Sequence, residues 1–175
     1  MRKLKRLRKG TILYHGTHAK WAKVIEQEGK VRRVDHKTSG GTLDEGGLLW
    51  FTPELHLATK YAEGMEARGD DIRTGRVFSL KTTKPLVFIP RSYRLNQKEA
   101  DALTELLGIP DYKALERGDS LNTAMNRTVN SGRKQFPRYG EMLALWPTVI
   151  NYFGVDGMVY QDVHFAIPAD EVEVR

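Results

Sequence analysis

Three stretches of the 175-residue chain hold residue types that can do chemistry. The first is Tyr14-His15-Gly16-Thr17, where a histidine precedes a glycine that carries no Cβ to keep a ligand away from the backbone. The second is Leu48-Leu49-Trp50-Phe51-Thr52-Pro53, running on into Ala58-Thr59-Lys60-Tyr61-Ala62. Trp50 and Tyr61 stand eleven positions apart. Two such aromatic faces can sandwich a flat cation by stacking and cation–π attraction. The third is the late run Gly154 to Pro168, which contains Gln161, Asp162, Val163 and His164. Taken singly, each residue has an ordinary structural explanation. A histidine at a strand end is usually structural, a tryptophan fills cores, and a tyrosine packs helices. Taken together, the set points to a ligand site.

Other chemistries are set aside by what the chain lacks. It has no cysteine, so a thiol nucleophile, thiolate metal ligands and disulfides are excluded. Its five histidines show no metal-binding spacing with carboxylates, and no metal is expected. No phosphate-binding Gly-Lys-Ser/Thr loop and no Gly-x-Ser-x-Gly elbow occurs.

The first two stretches together resemble the NAD-binding core of the ADP-ribosyltransferase superfamily, in its His-Tyr-Glu class of diphtheria-type toxins and poly(ADP-ribose) polymerases. In that family one strand ends in His-Gly. A later strand ends in an aromatic, and a second aromatic follows eleven residues on in the next helix. The resemblance covers the first third of the chain well and the last fifth loosely. It implies NAD as co-substrate, with Gly16 N–H and C=O on the carboxamide, His15 on a ribose hydroxyl, and Trp50 and Tyr61 around the nicotinamide. Phe51 and Thr17 join this NAD-binding set, although helix capping explains Thr17 equally well. The family's third element is a glutamate at the start of a late strand. Here no glutamate occupies that slot, which falls on Asp162, Val163 or His164 depending on the gap, with Gln161 one step further out. Asp162 keeps a carboxylate and is taken as the third catalytic residue beside His15 and Tyr61. The opposing explanation is that Gln161-Asp162 is simply a hairpin turn.

The elements that must position these residues follow from periodicity and punctuation. Ile12–His15 reads as a strand. A helix with the stripe Trp21, Ala22, Val24 and Ile25 follows, capped by Thr17 and stopped at Gly29. Residues 32–47, rich in glycine, read as a mobile loop of the kind that covers an NAD site. Leu48–Phe51 reads as a buried strand. Thr52 then caps a helix with Pro53 in its first turn and Gly64 at its end. Arg76–Leu80 and Leu86–Ile89 are strands, separated from that helix by a charged loop, Glu66–Gly75. Asn96 caps an amphipathic helix to Leu107. Weaker helical stretches follow at Tyr112–Glu116 and Leu121–Val129, and Gly140–Phe153 reads as a helix kinked or restarted at Pro147. Strands return at Gly157–Tyr160, Val163–Ile167 and Glu171–Val174. The order predicts an α+β fold. By resemblance this is a split antiparallel β-core with the NAD cleft between two small sheets, in a single domain with a helical insertion over 91–153.

Composition adds bounds. Hydrophobic residues make up 40% and charged residues 29%, values ordinary for a globular protein in water. No run nears the roughly 18 apolar residues of a membrane span, and no apolar segment of a secretory leader follows the basic start. A cytoplasmic monomer is expected, in a host's cytoplasm if the chain is phage-encoded or a delivered effector. The net charge is +6, and six of the first nine residues are Lys or Arg. That cluster reads as a solvated tail over residues 1–10, or as a contact for a polyanion. The expected function is transfer of ADP-ribose from NAD to a macromolecular acceptor, protein or nucleic acid, with release of nicotinamide, as in toxin-like, phage or bacterial members. Two alternatives stay open. One is an NAD-dependent RNA 2′-phosphotransferase, which also carries a Tyr-His-Gly-Thr-like start. The other is a non-catalytic module that holds NAD or ADP-ribose.

Overall fold

Among the described residues, apolar runs such as Leu49–Phe51, Leu86–Pro90 and Gly157–Tyr160 build a sheet with two buried faces. The computed structural model describes residues 3–17, 19–32, 48–63, 75–129 and 145–175. Strands β1 (Lys5–Leu7), β6 (Leu86–Pro90), β7 (Gly157–Tyr160), β8 (His164–Ile167) and β4 (Leu49–Phe51) form a five-stranded sheet in that spatial order. All its neighbours are antiparallel except β6 and β7, which run parallel. The expected wholly antiparallel core therefore has one parallel pair, because the helical block between β6 and β7 returns the chain in the same direction.

Two ladders form the second layer. β2 (Ile12–Thr17) pairs with β5 (Arg76–Lys81), and β3 (Lys30–Arg32) pairs with β9 (Glu171–Glu173). Ser79 and Arg175 exchange backbone hydrogen bonds of 2.7 and 2.8 Å, which joins the ladders.

One face of the large sheet presents Ile89, Met158 and Ala166 to helices α3 (Gln97–Leu106), α4 (Leu121–Val129) and α5 (Leu145–Phe153). The other face presents Phe51, Phe88, Val159 and Phe165 to Leu13, Val31 and Phe78 of the second layer and to Ala22 and Ile25 of α1 (Ala19–Glu28). Phe88 and Phe165 meet edge-to-face at 4.9 Å between centroids, a favoured aromatic geometry. The described residues thus show an α+β architecture with five helices. None of these helices is long and apolar enough to cross a membrane.

Several local expectations change. Lys5–Leu7 is an edge strand and not part of a tail, because β6 offers it a backbone ladder and Leu7 is buried. Lys30–Arg32 is a strand against β9 rather than the start of a loop. Thr17 closes β2 and does not cap α1. Thr52 does not cap α2 (Leu55–Ala62) either; Glu54 holds that position, and Thr52 Oγ1 accepts the Glu54 N–H at 3.1 Å. Pro147 lies within α5, whose described part begins at Leu145. The Tyr112–Glu116 stretch is reduced to a 3-10 turn at Asp111–Lys113. Asn96 caps α3 as expected, in a reciprocal box with Glu99. Gly29 stops α1 at φ +67°, its N–H bonded to Ile25 C=O at 2.7 Å. Residues 33–47, 64–74 and 130–144 lie outside the described residues. So do the expected covering loop beyond Arg32, the helix end at Gly64 and the start of the 140–153 helix.

Candidate functional site

The site begins where two strands part. Tyr14 of β2 and Thr52, just after β4, exchange backbone hydrogen bonds of 2.7 and 2.9 Å. An antiparallel ladder continued by two residues would pair Gly16 with Trp50. That pair does not form. Instead His15 Nδ1 lies 2.8 Å from the Trp50 carbonyl oxygen and takes it with a side chain. The backbone pairing stops at this point, a gap in the ladder between Gly16 and Trp50.

Alternation fixes what faces the gap. Tyr14 directs its N–H and C=O toward Thr52, away from β5, and Gly16, two residues on, directs its own to the same side. The β5 side agrees: Ser79, opposite Tyr14, bonds Arg175 rather than β2, so Val77 opposite Gly16 also turns away from β2. Gly16 therefore presents one donor and one acceptor side by side to the gap. A primary amide has the complementary donor and acceptor.

Gly16 has a second requirement. A Cβ there would lie 1.8 Å from Ala58 O and 3.0 Å from Ala62 N. Its bare Cα lets α2 settle directly on β2. The sequence argument placed the ligand on that bare side, whereas the structure places α2 there. On the side away from β5, Gly16 offers its backbone N–H and C=O.

The chemistry of His15 follows from its surroundings. Burial pushes its imidazole below the ordinary value of 6.5, an effect partly offset by the bond to Trp50 C=O. The ring is neutral at pH 7. Since a carbonyl only accepts, Nδ1 carries the proton and Nε2 keeps a lone pair that can accept from a hydroxyl. The Phe51 ring, 5.7 Å away and tilted by 55°, fixes the imidazole plane. Phe51 is only 2% exposed and belongs to the core. Its ring contact is with His15.

The aromatic pair divides. Tyr61 on α2 is 51% exposed. Trp50 is half-buried and packs toward the helical block, opposite Ala166 of β8. Tyr61 stands edge-on to the His164 ring at 6.1 Å, and Tyr160 stacks on the other side of His164 at 6.2 Å. His164 opens β8, two residues from Ala166 and on the same face of the sheet. Strand register thus puts Trp50 and His164 on one face of the sheet, with Tyr61 against His164 and His15 bonded to the Trp50 carbonyl.

Asp162 is elsewhere. Gln161 and Asp162 have φ of 51° and 61°, two successive left-handed residues that turn β7 back into β8. The Asp162 carboxylate is 75% exposed and lies 4.0 Å from Lys5 Nζ. The hairpin-turn explanation of Gln161-Asp162 describes this geometry. Val163 also lies in the turn, and its N–H bonds Tyr160 C=O at 3.3 Å. Of the candidates for the third position, His164 is the one beside Tyr61.

Sequence reasoning missed the part played by Trp50 C=O. A strand edge gives no sequence signal for a side chain that will replace its ladder partner. Asp156, to which no chemistry was assigned, holds Val87 N–H at 2.8 Å and Lys84 Nζ at 3.1 Å and ties β6 to the entry of β7. No protein family, curated protein or solved structure matches the chain.

Proposed function

We propose that the chain binds NAD in the gap between Gly16 and Trp50 and transfers its ADP-ribose to a macromolecular acceptor. The observation that carries this reading is the parted β2–β4 ladder. It leaves the Gly16 donor and acceptor exposed at a point where His15 is locked as a neutral acceptor. Together these groups fit a carboxamide and a ribose hydroxyl on one ligand. The nicotinamide ring lies against Tyr61, on the Trp50 side of the opening.

The chemistry is the break of one bond. The ribose C1′–nitrogen bond opens, and its electron pair stays on nicotinamide, which leaves neutral. The sugar cation is captured by an acceptor oxygen or nitrogen, which then loses its proton. Positioning and hydrogen bonding to the ribose lower this barrier. His15 Nε2 holds one hydroxyl. His164 holds the third position in place of Asp162, with its ring oriented between Tyr61 and Tyr160.

A second reading has its own support. The one carboxylate considered for the third position is exposed on a turn and faces Lys5. A domain that only holds NAD or ADP-ribose would tolerate that arrangement. Labelled NAD incubated with the chain and a bacterial lysate, beside His15→Ala, separates the two. Label in macromolecules that His15→Ala abolishes supports the transferase. NAD binding without release of nicotinamide supports the holding module.

A further inference from the structure

A basic groove lies beside the hairpin turn that leads into His164. It is open to solvent, encloses about 980 Å³, and is lined by Lys3, Arg94, Lys98 and Arg117 with Asp162 as its single acidic residue. These cations come from four separate segments: the approach to β1, the bridge strand at Arg94, the first turn of α3, and the turn before Asp119. None of the four pairs with a carboxylate among the described residues, and the Asp162 carboxylate lies 4.0 Å from Lys5 instead; Arg94 gives one N–H to Gly118 C=O at 3.0 Å.

Lys98 sits where its charge is unfavourable. It occupies the first turn of α3, at the positive end of the helix, where a cation is disfavoured. Asn96 and Gln97 open the same helix end onto the groove. Four cations against one carboxylate on an open concavity suit an extended polyanion.

The groove also adjoins the proposed NAD cleft. Asp162 lines it, and His164 follows two residues later against Tyr61. Pro90 lines it, and the next residue, Arg91, lies over the Tyr160 ring at 5.2 Å. We infer that this groove binds the phosphate backbone of a nucleic-acid strand. Where the NAD reading holds, and the acceptor role rests on it, that strand is the ADP-ribose acceptor.

The test uses the full chain and short fluorescein-labelled single-stranded DNA and RNA oligonucleotides, tested separately, with polyglutamate as a competing polyanion. Four phosphate contacts at about −0.7 each give a log Kd-versus-log salt dependence of magnitude about 3 for a single strand. Lys98→Gln with Arg117→Gln should weaken binding at low salt at least tenfold and cut that slope to about half. Lys23→Gln with Lys81→Gln makes the same charge change off the groove and should leave both nearly unchanged. Equal losses in the two double variants, displacement of the strand by polyglutamate at equal charge, or no strand binding would each overturn the inference. Nicotinamide release by the unaltered chain without any strand, measured alongside, reports on the NAD reading alone.

Discussion

His15 Nδ1 bonds the carbonyl oxygen of Trp50 at 2.8 Å, in the place where the backbone of β2 would otherwise have continued its ladder with β4. One side chain thus takes the carbonyl that a longer β2–β4 ladder would have used. Replacing His15 with Ala removes the bond and the acceptor together. Nicotinamide release should fall on the order of a hundredfold, and stability by about 1 kcal/mol. A variant that keeps its release rate would remove His15 from the reaction.

The same burial gives a pH signature. The folded chain holds the His15 imidazole below 6.5, so the unfolded chain takes up that proton at a higher pH. Stability from the neutral ring is complete above about pH 6.5 and is lost as pH falls from there through the folded value. An NMR titration of the His15 ring should give a midpoint under 6.5. A midpoint at or above that value would contradict the buried, neutral state.

Gly16 and Gly29 resist substitution for different reasons. At Gly16 a methyl group meets the backbone of α2, which cannot yield without moving the helix. Gly16→Ala should cost about 1–3 kcal/mol or more and displace Tyr61. At Gly29 the space is open but φ is +67°, so Gly29→Ala should cost about 1 kcal/mol. Urea denaturation compares the two, and a Gly16 loss no larger than that at Gly29 would show that α2 does not rest on β2 as described.

Tyr61 is half exposed, so its removal should spare the fold. Tyr61→Ala should change stability by less than about 0.5 kcal/mol and weaken NAD binding about tenfold, the equivalent of about 1.4 kcal/mol of stacking. Calorimetric titration with NAD checks this, and unchanged affinity would take Tyr61 out of the nicotinamide site.

His164 and Asp162 make opposite predictions at the third position. Asp162→Gly relieves a left-handed φ on an exposed turn and should stabilise the chain by about 0.5–1 kcal/mol, with nicotinamide release retained. His164→Ala should reduce release about tenfold or more. If release instead depends on Asp162 and not on His164, the carboxylate holds the third position.

How far the sequence revealed these relationships depends on range. Signals within a few residues were legible: the Asn96–Glu99 cap, the Gly29 stop, and the apolar runs of β4, β7 and β8. Signals made by distant partners were not. Lys5–Leu7 reads as solvated charge until β6 pairs with it, and Arg32 reads as loop until β9 pairs with Lys30–Arg32. Thr52 has the look of a helix cap, yet Tyr14 claims its backbone for a bridge. His15, Gly16, Trp50 and Tyr61 could be picked out by type and spacing. By type Asp162 is preferred to His164 because it keeps a carboxylate, whereas their placement turns on which residue ends the turn and which starts the strand.

The central claim is that a ligand enters the gap between Gly16 and Trp50, and amide chemical shifts read it directly. On titration with NAD, the backbone amide resonances of Gly16 and Trp50 and the Trp50 indole should shift together and saturate, while those of Lys98 and Arg117 stay in place. Shifts confined to the basic groove, or none at Gly16 and Trp50, would contradict the account.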